Sequence, residues 1–166
     1  MTATPFRERI AFDSANGEIS DESRRYMLMR PEALMGLFQR LDEGSRLKAL
    51  DALKASVIEM GGDSARAYRA HGGGDPTALL ATVAATAPDL GWGNWEFNRS
   101  KTRLELKVRN SPFATGYGVS PHPVCHAISG MATAVARAAL GRDDIVAKEA
   151  ACVACGAPSC MFEADL

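Results

Sequence analysis

The stretch Lys148-Glu149-Ala150-Ala151-Cys152-Val153-Ala154-Cys155-Gly156-Ala157-Pro158-Ser159-Cys160-Met161-Phe162 decides the reading of this chain. A strand over residues 145–151 runs into a tight turn over 155–159, where Gly156 and Pro158 break regular structure. A closing strand over 160–163 follows. The hairpin brings its two arms within several ångströms, so Cys152 and Cys160 face one another. Glu149 stands three residues before Cys152, near the end of the first arm.

One more cysteine, Cys125, lies upstream. It opens a long helix predicted over residues 121–140, rich in small side chains and stopped by Gly141. The positive end of that helix favours a thiolate. Packed on the sheet, the helix carries Cys125 to the hairpin. Three thiolates and one carboxylate (Cys125, Cys152, Cys160 and Glu149) then make a closed tetrahedral site, which suits zinc in a structural role. Cys155 is an alternative to Glu149 and would give four sulfur ligands. Two other readings of the cysteines stand beside the metal: small buried hydrophobes, or a Cys152–Cys155 dithiol redox pair. The latter lacks the βαβ setting of a thioredoxin-type motif.

The rest of the chain is a single domain's length. It has 166 residues, 46% hydrophobic and 23% charged, which excludes extensive disorder. No apolar run is long enough to span a membrane. Nineteen basic residues against twenty acidic ones give a net charge of -1, too balanced for a nucleic-acid surface. The N-terminus MTATPFRERIAFD lacks an apolar signal region, so a cytoplasmic setting is expected, and cysteines there more often mean metal chemistry than disulfides.

Outward from the cysteines, Leu104, Leu106 and Val108 alternate with Glu105 and Lys107, the period of a half-buried strand over 102–108. A preceding strand over 92–98 pairs with it through the turn at 98–101. Three helices come earlier. The first starts at Pro31 and carries Leu34, Leu37, Phe38 and Leu41. Gly44-Ser45 break it, with Ser45 placed to cap the second. That helix carries Leu47, Leu50, Leu53, Val57, Ile58 and Met60. It can continue past Gly61-Gly62, a site for close packing or a kink, through Ala65, Ala67 and Tyr68. Residues 70–74 are expected as a loop, with His71 exposed. Asp75 caps and Pro76 opens the third helix, over 77–87, which Pro88 and Gly91 close. Residues 1–30 read as an N-terminal segment with a hairpin: a strand at 9–12, the Asn16-Gly17 turn and a second arm at 25–29. Residues 31–166 form the domain proper. The class is α+β: an antiparallel sheet, an N-terminal helical part and one long inserted helix.

Taken together, Val108-Arg109-Asn110-Ser111-Pro112-Phe113-Ala114, then Cys125 with Ser129-Gly130, then Glu149-x-x-Cys152-x-x-x-Gly156-x-x-x-Cys160-x-Phe162 resemble the 4-vinyl reductase domain family. That family is related to the sensory domains of phenol- and xylene-responsive NtrC-type activators and, distantly, to TRAPP-type trafficking subunits. The resemblance covers roughly residues 90–165. It implies a TRAPP-like ligand-binding fold that dimerises around a pocket for a small hydrophobic molecule, with zinc held by Cys125, Glu149, Cys152 and Cys160. Cys155 is outside the family's four.

Trp92, Trp95, Phe97, Phe113 and Tyr117 cluster just before the helix bearing Cys125 and are candidates to line the pocket, with ordinary core packing as the alternative. His122 and His126, four apart, share a face of the predicted helix, and could bond a ligand or orient the metal shell. Met27, Met29, Met35 and Met60 read as adaptable core filler or as part of a dimer surface. Arg7, Arg9, Arg24 and Arg25, balanced by Glu8, Asp21 and Glu22, read as solvated faces. Gly72-Gly73-Gly74 is no phosphate loop, and no dinucleotide or hydrolase motif is present. The expected function is a non-catalytic, zinc-containing sensor or carrier of an aromatic hydrocarbon or a tetrapyrrole-type pigment precursor. The alternatives are a reductase or accessory subunit acting on a vinyl group in bacteriochlorophyll biosynthesis, and a trafficking-type scaffold. A reductase needs an electron source, for which no flavin or nicotinamide motif is seen.

Overall fold

A computed structural model describes residues 4–72 and 75–166, with side chains outside 64–72. The alternation at Leu104, Leu106 and Val108 becomes the centre of the molecule. These three side chains are buried on strand β5 (Arg103–Arg109), while Arg103, Lys107 and Arg109 face solvent. To label in chain order, helix α1 is Phe6–Arg9, and strands β1, β2 and β3 are Ala11–Asp13, Glu18–Asp21 and Arg24–Tyr26. Helices α2, α3 and α4 are Pro31–Gln39, Glu43–Gly72 and Pro76–Asp89. Strand β4 is Asn94–Arg99. Helices α5 and α6 are Pro112–Tyr117 and His126–Leu140, and strands β6 and β7 are Lys148–Ala151 and Cys160–Asp165. The main sheet is antiparallel, in the order β4-β5-β7-β6, and β1-β2-β3 form a separate small sheet. The α+β class with one long helix inserted between sheet strands is what the molecule shows. Among the described residues no helix is long and apolar enough to cross a membrane.

Helix α6 is the core helix. Its small residues Ala127, Gly130, Ala132, Ala134 and Ala136 are buried. They allow α3 to lie very close: a Cβ on Gly130 would stand 2.6 Å from the Lys54 carbonyl oxygen, and one on Gly61 would stand 2.9 Å from the Met131 sulfur. Gly61 and Gly62 therefore serve close packing within an α3 that continues past them. Three bonds hold the segment leading into β6. The Thr133 hydroxyl accepts the Ala147 N–H at 2.9 Å, Arg137 Nε donates to the Ile145 carbonyl at 2.8 Å, and Lys54 Nζ donates to the Ala147 carbonyl at 2.9 Å.

Several boundaries differ from the sequence expectation. Helix α6 begins at His126, not at 121. Pro121 and Pro123 push the residues before them out of helical conformation, and the Ser120 hydroxyl closes a turn on the His122 carbonyl at 2.6 Å. Residues 70–72 are helical, so α3 ends at the first glycine of the triplet. Glycines 73 and 74 lie outside the described residues, as do the side chains of Ala65, Ala67, Tyr68 and His71. The break after α2 falls at Arg40–Leu41, and Asp42, not Ser45, caps α3 by accepting the Ser45 N–H at 3.1 Å. On α2 the buried face is Met35 and Phe38, while Leu37 is 56% exposed. The N-terminal segment is a short helix and three strands: Asn16-Gly17 lie in the turn joining β1 and β2, but the second arm is Glu18–Asp21. Strand β6 starts three residues later than expected, because residues 145–147 are held by side chains instead of by the sheet.

Candidate metal centre and ligand cavity

Cys125 precedes the first residue of α6 and is fully buried, as are Cys152 and Cys160. Cys160 opens β7 opposite Val108 of β5. A bulge in the β6–β7 pairing lies between Glu149 and Ala151. Such an irregularity re-aims side chains next to it, and here those neighbours are Glu149 and Cys152. The turn between the arms is a 3-10 helix, Val153–Cys155, closed by Gly156 at φ +93.

One ligand atom from each of Cys125, Glu149, Cys152 and Cys160 lies within 4.8 Å of all the others. The Cys125 sulfur is 3.9 Å from that of Cys152 and 3.7 Å from that of Cys160. Metal–sulfur bonds of roughly 2.3 Å in a tetrahedron put two sulfurs about 3.8 Å apart. Glu149 Oε2 accepts the Cys125 N–H at 2.9 Å, and Oε1 is buried with no hydrogen-bond partner among the described residues. A buried acceptor without a donor is costly, and a cation in the cluster would satisfy it. The cysteines are free thiols, and the cluster could hold a metal ion. Cys155, the alternative to Glu149, is exposed and outside the cluster.

Burial, and then Cys152 beside it, push the Glu149 carboxyl up to about 8. Bonds to the Cys152 and Cys160 sulfurs, together with burial, push the Cys125 thiol up, which outweighs the helix end that was expected to favour its thiolate. Cys152 is held down by the bonds from Cys125 and Cys160. A metal must therefore displace protons to bind. The raised Glu149 favours the metal-free fold fully below its ordinary value of 4.5, and that contribution is lost as pH rises through about 8. Metal binding strengthens over the same interval. Denaturant titrations of chelator-treated protein should thus show stability falling across that interval, and Glu149→Gln should flatten the slope. A slope unchanged in the variant would refute the assignment to Glu149.

Two supporting groups were not singled out in the sequence. The Ser111 hydroxyl lies 3.2 Å from the Cys125 sulfur and caps α5 by accepting the Ala114 N–H at 3.4 Å. The Val153 N–H donates to the Cys160 sulfur at 3.3 Å. Ser-Pro at 111–112 is a readable helix start, but only the fold places it against Cys125. Exposed Cys155 makes a clean control: Cys155→Ser should leave metal stoichiometry unchanged and shift stability by no more than about 0.5 kcal/mol. Metal analysis with denaturant unfolding checks both.

A cavity of about 390 Å³ lies between the N-terminal segment and helices α3, α4 and α6. Phe6, Tyr26, Val57, Val83 and Val135 contribute walls, with Trp92 and Trp95. Of the predicted pocket residues, these two tryptophans line it. Trp95 Nε1 donates to the Trp92 carbonyl at 2.9 Å, which fixes the pair. Phe113 packs edge-on against Trp92 at 5.1 Å, and Tyr117 is buried in the core. Phe97 meets Trp95 at 6.0 Å and lines a separate surface hollow with it. The histidines are elsewhere. His122 precedes α6 instead of sharing a helical face with His126, and both border a third depression near Lys54. His126 Nδ1 lies 3.1 Å from Asp51 Oδ1, and His122 Nε2 lies 3.7 Å from Glu43. Arg9 also departs from the solvated-face reading: it grips buried Asp21 at both carboxylate oxygens, at 3.2 and 2.9 Å.

The fold is shared with solved structures. The phenol-responsive sensory domain of the transcription activator PoxR, in complex with phenol, superposes with a TM-score of 0.77 at 21% identity, over 95% of this chain and 85% of that one. A vinyl-4-reductase family protein from Methanocaldococcus jannaschii has a TM-score of 0.51 at 15% identity, covering 82% and 90%. Trafficking protein particle complex subunit 3 from Naegleria fowleri, covalently bound to palmitic acid, has a TM-score of 0.53 at 16% identity, covering 82% and 94%. No curated protein matches the chain in sequence. Residues 104–166, which carry β5, α6 and the whole cysteine cluster, match the family model of the 4-vinyl reductase domain, and this bears out the resemblance read from the sequence.

Proposed function

We propose that the chain is a non-catalytic binding module for a small aromatic or hydrocarbon ligand, acting as a sensor or carrier. The observation that carries this reading is the apolar cavity of about 390 Å³ with Trp92 and Trp95 in its wall. Small-molecule sites run from roughly 300 to 1,000 Å³, so this one suits one or two rings better than a tetrapyrrole. Residues 31–166 are the binding domain, and the segment 1–30 forms one wall of the cavity. The similarity to a phenol-responsive sensory domain supports the same reading.

Zinc is the metal we assign to Cys125, Glu149, Cys152 and Cys160. Thiolate-rich tetrahedral sites favour it, and a site with four protein ligands leaves no position open for chemistry. The site pins the start of α6 to the terminal hairpin. Met131 and Val135, on the same helix, line the cavity, and ten residues of helix span about 15 Å. The metal thus sets the position of one cavity wall. Exposed Met27, Leu28 and Leu37 support a homodimer contact, which light scattering would test. Reduced thiols suit a cytoplasmic setting.

Titration with toluene should change the tryptophan emission saturably. Val83→Phe, which fills the cavity from α4, should abolish the change and leave the fold intact. Emission indifferent to toluene and to larger aromatic probes would refute the binding function. Solvent extraction and mass spectrometry of the purified protein would identify a native ligand.

A further inference from the structure

We propose that the cavity selects its ligand by head group. The end formed by Asp21 and Asp89 takes a hydrogen-bond donor, a cationic amine ahead of an alcohol and both ahead of a carboxylate. This rests on the cavity being the ligand site. Its apolar walls reward any hydrophobic body, so discrimination must come from the few polar groups among the lining residues: Asp21, Arg24, Thr86 and Asp89.

The Thr86 hydroxyl is already engaged, donating to the Thr82 carbonyl at 2.9 Å. Arg24, opposite Asp21 in the β2–β3 register, pairs with Glu22 at 3.7 Å. The two aspartates differ from these. Asp21, with its side chain only 3% exposed, accepts two bonds from Arg9. An ionised carboxylate has roughly four acceptor positions, so acceptor capacity remains. Asp89 has the larger unmet charge. Its side chain is 15% exposed, but its partner Arg7 is 70% exposed and reaches it only at 3.6 Å. A solvated guanidinium at that distance compensates a carboxylate weakly. The Arg7 N–H adds one bond at 3.3 Å. Asp89 is also the last residue of α4, where the carbonyl end of the helix adds negative potential. An ammonium head would gain from all of these, a hydroxyl from the acceptors alone, and a carboxylate from neither.

Three probes with one body separate the cases: 2-phenylethylamine, 2-phenylethanol and 3-phenylpropanoate, titrated calorimetrically into the intact protein. The expected order is amine, then alcohol, then acid, with the amine about tenfold or more tighter than the acid. Asp89→Asn should bring the amine down to the alcohol and leave the alcohol unchanged. The wild-type order is a test by itself if that variant fails to fold. Acid binding equal to or tighter than amine binding would overturn the head-group inference and leave the apolar cavity standing. Binding of none of the three would overturn both.

Discussion

Cys160→Ser should lower the unfolding free energy of zinc-loaded protein by roughly 3–5 kcal/mol, and Cys152→Ser should do the same. Metal binding to a site that exists only in the folded chain is folding free energy. Cys160 opens β7, Cys152 follows β6 and Cys125 precedes α6, so one ion would bridge three elements. Serine is a far poorer zinc ligand than thiolate. It also leaves a hydroxyl in a fully buried position whose only donor is the Val153 N–H. The measurement is denaturant unfolding with equimolar zinc and again with chelator. Chelator should bring the wild type close to the variants and hardly move the variants. Superimposable zinc-loaded curves for wild type and both variants would end the structural-metal assignment.

The Glu149-x-x-Cys152…Cys160 grouping was legible because it is local: a hairpin brings its arms together without help from the rest of the chain. Strand β5 was legible for a similar reason, since alternation at Leu104, Leu106 and Val108 needs no partner to be seen. Cys125 was placed correctly as a helix opener, but with the helix several residues too long at its start. The prolines at 121 and 123 were the overlooked signal, and the error put His122 and His126 on a shared face that does not exist. The cavity was least legible. Trp92 and Trp95 could be named from their cluster. The opposite walls come from Phe6, Val57, Val83 and Val135, which are far apart in sequence and meet only through packing. The Arg9–Asp21 pair was hidden likewise, because buried and solvated arginines look alike in a charge-balanced N-terminus.

Gly130→Val should destabilise the protein by about 3 kcal/mol, near the upper end for overpacking, although a glycine inside a helix is ordinarily the weaker choice by about 1 kcal/mol. The reversal follows from the α3–α6 contact. A Cβ at 130 meets the Lys54 carbonyl oxygen at 2.6 Å, the Val57 Cβ at 3.1 Å and the Lys54 Cα at 3.3 Å. The nearest atom belongs to the backbone, so it cannot rotate away, and relief requires α3 to move off α6. Lys54 also donates from Nζ to the Ala147 carbonyl, so that movement would loosen the segment leading into Glu149. Val57 lines the cavity, and its displacement should weaken toluene binding in the same variant. Gly44→Ala is the control. A Cβ there meets only Asp42 Oδ1 at 3.5 Å, an ordinary contact, so helix propensity decides and the change should not destabilise. Chemical denaturation of the two variants beside wild type reads the contrast directly. A Gly130→Val protein as stable as wild type would mean that the two helices do not pack this closely, and the cavity wall they form would have to be redrawn.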